Sequence, residues 1–236
     1  MPFLRAFFAA IAFILIGCPL AQAGLVNDLP SCYAASHFRF QGPPYTHLLY
    51  VLIDQTMKLN PTLQKSTIDN INRALGPGTK FAIAEFSANT GDHYLNVLHT
   101  GVIENPMTAS ERDNVPVNKL SGFDACMHDQ TLFAIHMADS TVQAILRTAT
   151  SAPNQPNDIL FALKTVSAVV AKDPAKQKVV FLVSNGLENS SFDSFDEGTG
   201  IRNINPEQEL AKARASGLLA NFGGARVFVL GAGSLP

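Results

Sequence analysis

Six consecutive apolar residues, Leu48-Leu49-Tyr50-Val51-Leu52-Ile53, end abruptly at Asp54. The run does not alternate with polar residues, so a strand made from it has two buried faces. Such strands belong to parallel sheets covered by helices on both sides. Val179 to Val183 repeats the pattern, and Arg226 to Leu230 reads as the last strand near the end of the chain. Lys80 to Phe86 and Tyr94 to Val102 read as two further strands.

Helical segments separate these strands. Asn60 and Pro61 suit an N-cap and a first helical residue, with Ile68, Ile71 and Leu75 at helical spacing and Gly76-Pro77-Gly78 as the stop. Gln130 to Thr148 and Asp158 to Lys172 carry the same periodicity. Pro206 opens a last helix, with Glu207 and Glu209 where the macrodipole favours acid, and Gly223-Gly224 is its expected end. Residues 24–45 read as an irregular lead-in, and 103–125 as a long loop or insertion. Strands alternating with helices predict an α/β fold with a doubly wound, mostly parallel sheet in three layers. One domain spans 46–236.

The first 23 residues have their own logic. Arg5 is a short positive region, Ala6 to Gly17 is apolar, and Ala21-Gln22-Ala23 offers a signal-peptidase site before Gly24. Leu15-Ile16-Gly17-Cys18 also fits a lipobox, which would place a lipid anchor on Cys18. Either cut implies export, to the periplasm or beyond. No later apolar run reaches the length of about 20 residues that a membrane span needs. The whole chain carries a net charge of −2. Cleavage before Gly24 removes Arg5 and no acid, leaving 16 basic and 19 acidic residues, or −3. So weak a charge excludes a nucleic-acid footprint. Cys32 and Cys126 remain, and an oxidising compartment favours a disulfide between them. Two separate buried thiols, or a zinc site using Cys126 and His128, are the other readings.

In open α/β sheets, ligands bind beyond the carboxyl ends of the strands. The residues there are Asp54-Gln55-Thr56-Met57-Lys58, then Ser184-Asn185-Gly186-Leu187-Glu188, then Gly231-Ala232-Gly233. In order and spacing, residues 46–234 resemble a von Willebrand factor type A domain. The resemblance implies a protein-binding role and a divalent-ion adhesion site, Mg²⁺ in kind. Asp54 and Thr56 match its first two ligand positions. Lys58 stands at the third, where an ammonium cannot ligate a cation. Asn185 stands where the third-loop aspartate is expected, and Asn154 or Asn157 near the second-loop threonine. The expected cofactor is therefore none, with Mg²⁺ as the alternative, and Lys58 is a candidate to replace the ion by pairing with Asp54 or with a partner's carboxylate. Asp54 as a simple helix cap is the plainer reading.

The loop from Glu188 to Asn205 holds Glu188, Asp193, Asp196 and Glu197, with Phe192 and Phe195 among the acids. A long loop at the binding end of such a sheet suits partner contact. It also suits a solvated loop with its phenylalanines turned in. Asn189-Ser190-Ser191 is a formal glycosylation sequon. The six histidines are scattered. No Gly-x-Ser-x-Gly elbow exists, and the second aspartate of a phosphotransferase pattern is missing at position 56. The expected function is a non-catalytic module of the envelope or of a secretion apparatus that binds another exported protein. A metal-dependent adhesin and a hydrolase or transferase are the alternatives. The resembled family adds a closing helix after its last strand, so the expectation here is a trimmed fold or an edge covered by a partner.

Overall fold

A computed structural model describes residues 27–90, 93–151, 155–195 and 200–233. The signal segment, its cleavage site, Cys18, Asn154, Asp196 and Glu197 lie outside the described residues. Eleven elements follow in order: α1 (Cys32–Ala35), β1 (His47–Asp54), α2 (Pro61–Ala74), β2 (Thr79–Thr90), β3 (His93–Ile103), α3 (Ala109–Asp113), α4 (Val117–Thr148), α5 (Ile159–Lys172), β4 (Gln177–Val183), α6 (Pro206–Ala215) and β5 (Arg226–Leu230).

The strands form one mixed sheet in the order β3-β2-β1-β4-β5. β1 is parallel to β2 and β4, and β4 is parallel to β5. β3 returns antiparallel to β2. After its exposed first residue, β1 is buried throughout, as its unbroken apolar run requires. One core cluster joins Leu49, Val51 and Ile53 to Ile71 of α2 and to Ala138, Val142 and Ile145 of α4. The opposite face joins Leu48, Tyr50 and Leu52 to Ala162, Val166 and Val170 of α5.

Asn60 caps α2 as expected, accepting from the Leu63 amide at 2.9 Å ahead of Pro61. Two helices differ from expectation. Residues 103–125, read as loop, hold α3 and the first turns of α4, which runs for 32 residues. That half of α4 looks polar because only Phe123 and Met127 are buried along it, against a small cluster of their own. α6 stops at Ala215 rather than near Gly223, because Gly217 adopts φ 67° just beyond it, a left-handed turn that ends helices.

Cys32 and Cys126 are joined by a disulfide, with Cα atoms 5.7 Å apart. It fastens the lead-in to α4. Among the described residues no helix is long and apolar enough to cross a membrane.

Candidate functional site

Asp54 ends β1, and its residue is 1% exposed. An isolated carboxylate buried so deeply is costly unless hydrogen bonds replace its water. Four donors do so here. Oδ1 accepts the Thr56 amide at 2.8 Å and the Thr56 hydroxyl at 2.6 Å. Oδ2 accepts the Asn157 side-chain amide at 2.8 Å and the Ser184 hydroxyl at 2.7 Å. Burial raises the Asp54 pKa above the usual carboxylate value, and these four donors oppose the rise.

The donors come from three connections at the carboxyl ends of the strands. Ile53 pairs with Val183, so the next residues, Asp54 and Ser184, leave two adjacent strands side by side. Ser184 also accepts the Gly186 amide at 3.1 Å, and Gly186 holds φ 83° to turn the chain. Asn157 donates a second time, to the Leu187 carbonyl at 3.2 Å. Its backbone exchanges two hydrogen bonds with Asn189, at 2.7 and 2.9 Å. Gly231, at φ 96°, brings the end of β5 against Met57, where an added Cβ would lie 2.9 Å from the Met57 methyl.

Glu188 does not reach outward from its loop. It is 2% exposed and sits beneath the start of α5. It accepts the Leu160 amide at 3.0 Å, a further bond from the Ile159 amide, and the Ser190 hydroxyl. Asp158 caps the same helix, accepting the Phe161 amide at 3.0 Å. Two carboxylates thus satisfy amides that every helix leaves open in its first turn, at the end where the dipole favours negative charge. Burial raises both pKa values, and the Asp158 charge raises that of Glu188 further.

The other residues of interest fall apart from this core. Lys58 is exposed and forms no ion pair with Asp54 or with any other described carboxylate. The side-chain oxygen of Asn185 accepts the Leu187 amide at 3.0 Å, a local turn, and does not join Asp54. Phe192 and Phe195 are half-buried. Their loop is tied to α6 through Asp193, which accepts from Arg202 at 2.9 Å and from Lys212. Lys212 also pairs with Glu209 at 3.0 Å. The hydrogen bond from the Lys212 ammonium is the main cause that holds Asp193 well below the usual carboxylate range. The sequon nitrogen of Asn189 donates to the Gln155 carbonyl at 3.0 Å, so it is engaged within the fold.

From the sequence alone the third-loop role falls on Asn185, one residue past Ser184. The signal for Ser184 was register: two parallel neighbours of matched length bring the residue after Val183 beside the one after Ile53. In the sequence, Asp158 marks only the start of a helix. Among the described residues, no three of His, Cys, Asp and Glu cluster closely enough to hold a metal ion. The chain matches no family model and no curated protein.

Proposed function

We propose that this chain is an exported, non-catalytic protein-binding module of the cell envelope or of a secretion apparatus. In this reading it has a doubly wound scaffold of the von Willebrand factor A type, and its partner docks across the carboxyl ends of the strands. The observation that carries the reading is the enclosure of Asp54. Its two oxygens accept four protein hydrogens, so it acts as a pin that holds three loops in fixed relation. The exposed groups above it, Lys58 and Gly186 with half-buried Asn185, form the contact surface. The strand order supports the same location, because it reverses between β1 and β4, where doubly wound sheets bind ligands.

The enclosure argues against chemistry at this place. Ser184 is 0% exposed and Asp54 1%, so both side chains are shielded from solvent, whereas a general base must be within reach of the proton it takes. The donor set also does not fit a divalent ion. Mg²⁺ needs about six oxygen ligands in an octahedron. Here one carboxylate is already saturated, and Asn157 offers it nitrogen. One observation favours the adhesin reading instead: the Asn157 Oδ1 is buried with no partner. A reversed amide would add that oxygen to those of Thr56 and Ser184.

Calorimetric titration with Mg²⁺, Mn²⁺ and Ca²⁺, using Asp54→Ala as the control, separates the two. The proposal expects no heat at millimolar ion, and micromolar binding lost in the variant would overturn it. Photo-crosslinking from position 185 in the native host tests the surface. It should capture one discrete protein in the presence of chelator, with loss on Lys58→Glu. Capture that chelation abolishes, or no capture, would count against it.

A further inference from the structure

β5 is the outer strand of the sheet, and among the described residues no other strand pairs with its free side. Its side chains are open on both faces: Val227 is 42% exposed, Phe228 49% and Val229 49%. The Ser184 amide donates to the Leu230 carbonyl at 3.0 Å, so the backbone groups of Leu230 face β4. Alternation along a strand then turns the amides and carbonyls of Val227 and Val229 outward. They form a row of two donors and two acceptors between exposed apolar side chains. No lysine, proline or bulge blunts this edge, although edge strands commonly carry such devices.

The start of the same strand is basic. A cavity of about 330 Å³ lies beneath it, lined by His47, Arg73, Gln177, Val179 and Arg226 among others, and by no carboxylate among the described residues. Arg73 is steadied by neutral groups of its own helix, through the Asp69 carbonyl at 3.1 Å and the Asn70 side chain at 3.0 Å. The Arg226 guanidinium lies 5.9 Å from the centre of the Phe228 ring. Neither arginine forms an ion pair with a described residue. By register, Arg226 and Phe228 share a face with Val179 and Phe181, the face on which this cavity opens.

We infer that β5 is a docking edge for an extended segment of another protein. The segment adds a sixth strand, pairs with the outward groups of Val227 and Val229, and carries a carboxylate opposite Arg226. Strand addition supplies affinity through the backbone and selects side chains at alternate positions. Here the selected positions are an acid at the basic end and apolar residues beside Phe228. This surface is separate from the one above Asp54, and the inference does not rest on that reading.

The test uses the mature chain and a short synthetic peptide of alternating valine and threonine with one terminal glutamate. Its counterpart carries lysine instead. The expected result is slowed hydrogen exchange at the Val227 and Val229 amides, and binding about tenfold tighter for the glutamate peptide, from one cross-strand charge pair made attractive rather than repulsive. Arg226→Glu should reverse the preference, and because the two peptides are compared on one protein, a change in its stability does not blur the outcome. Equal binding of both peptides, or unchanged exchange at Val227 and Val229, would overturn the inference. So would concentration-dependent self-association that protects those amides without peptide, which would assign the edge to a second copy of the chain.

Discussion

The two edges of this sheet are finished in opposite ways. At the β3 edge, the lead-in lies alongside and closes the backbone. The Asp28 amide donates to the Thr100 carbonyl at 2.9 Å, the Thr100 amide to the Asp28 carboxylate at 2.9 Å, and the Val102 amide to the Asn27 side chain at 3.0 Å. Leu29 packs over Gly101, where a Cβ would come within 2.9 Å of the Leu29 side chain, so glycine makes the close approach. At the β5 edge nothing comparable is found among the described residues. A few residues suffice to guard an edge when they are anchored elsewhere. Here the anchors are Glu104, which accepts from Ser31 and the Cys32 amide, the disulfide, and the aromatic cluster of Tyr33, Phe38, Phe40 and Phe123.

The contrast is broken most severely by removing the anchor. Phe123 is fully buried, with its ring 4.8 Å from Tyr33 and 5.4 Å from Phe38. Phe123→Ala should cost about 3–5 kcal/mol in denaturant unfolding, as large-to-small changes of this kind do. Amides of β3 should exchange faster while those of β5 do not change. If β3 stays protected, the cluster does not anchor the guard. Next in size is the disulfide, which joins residues 94 apart in sequence. The double variant Cys32→Ser, Cys126→Ser should lose about 2–4 kcal/mol, mostly by freeing the unfolded chain. Equal loss of protection at both edges would show that the bond stabilises the sheet as a whole.

What could be read in advance followed from burial pattern. β1 and β4 were legible because both faces are covered, which leaves unbroken apolar runs. α2 was legible because Asn60 and Pro61 mark its start. The direction of β3 was not, since a strand pairs parallel or antiparallel with the same apolar content, and only the short return from β2 decides it. The first half of α4 was hidden because its polar sequence covers little core. At the candidate site, Asp54 and Thr56 stood out as the residues just past a strand. Glu188 looked like one more acid in a solvated loop, since its partners are backbone amides of α5, which carry no sequence mark. Ser184 emerges only once β1 and β4 are known to be neighbours in register.

Smaller changes sharpen the same contrast. Asp28 bridges the Thr100 amide and the His99 ring at 3.0 Å, and its side chain is 31% exposed. Asp28→Ala should cost about 1 kcal/mol, less than a buried charged hydrogen bond because water screens the site. A cost near zero in thermal melting would mean that the backbone bond from Asp28 guards the edge alone.

The smallest effect on stability should come from β5. Phe228 is half-exposed, so Phe228→Lys removes little buried surface and should stay within about 0.5 kcal/mol of the parent. Its effect on behaviour should be larger, because a lysine on an edge strand opposes pairing with another chain. Binding of a neutral peptide of alternating valine and threonine to parent and variant makes the comparison, with the parent binding and the variant not. A matching lysine at Leu98 of β3, 36% exposed, should leave peptide binding unchanged, because the guard already occupies that edge. If both substitutions weaken peptide binding alike, net charge decides it and the two edges do not differ in accessibility. If only the β5 substitution does, the open strand is the sticky surface of the molecule, and its exposure is a property of the edge rather than of general hydrophobicity.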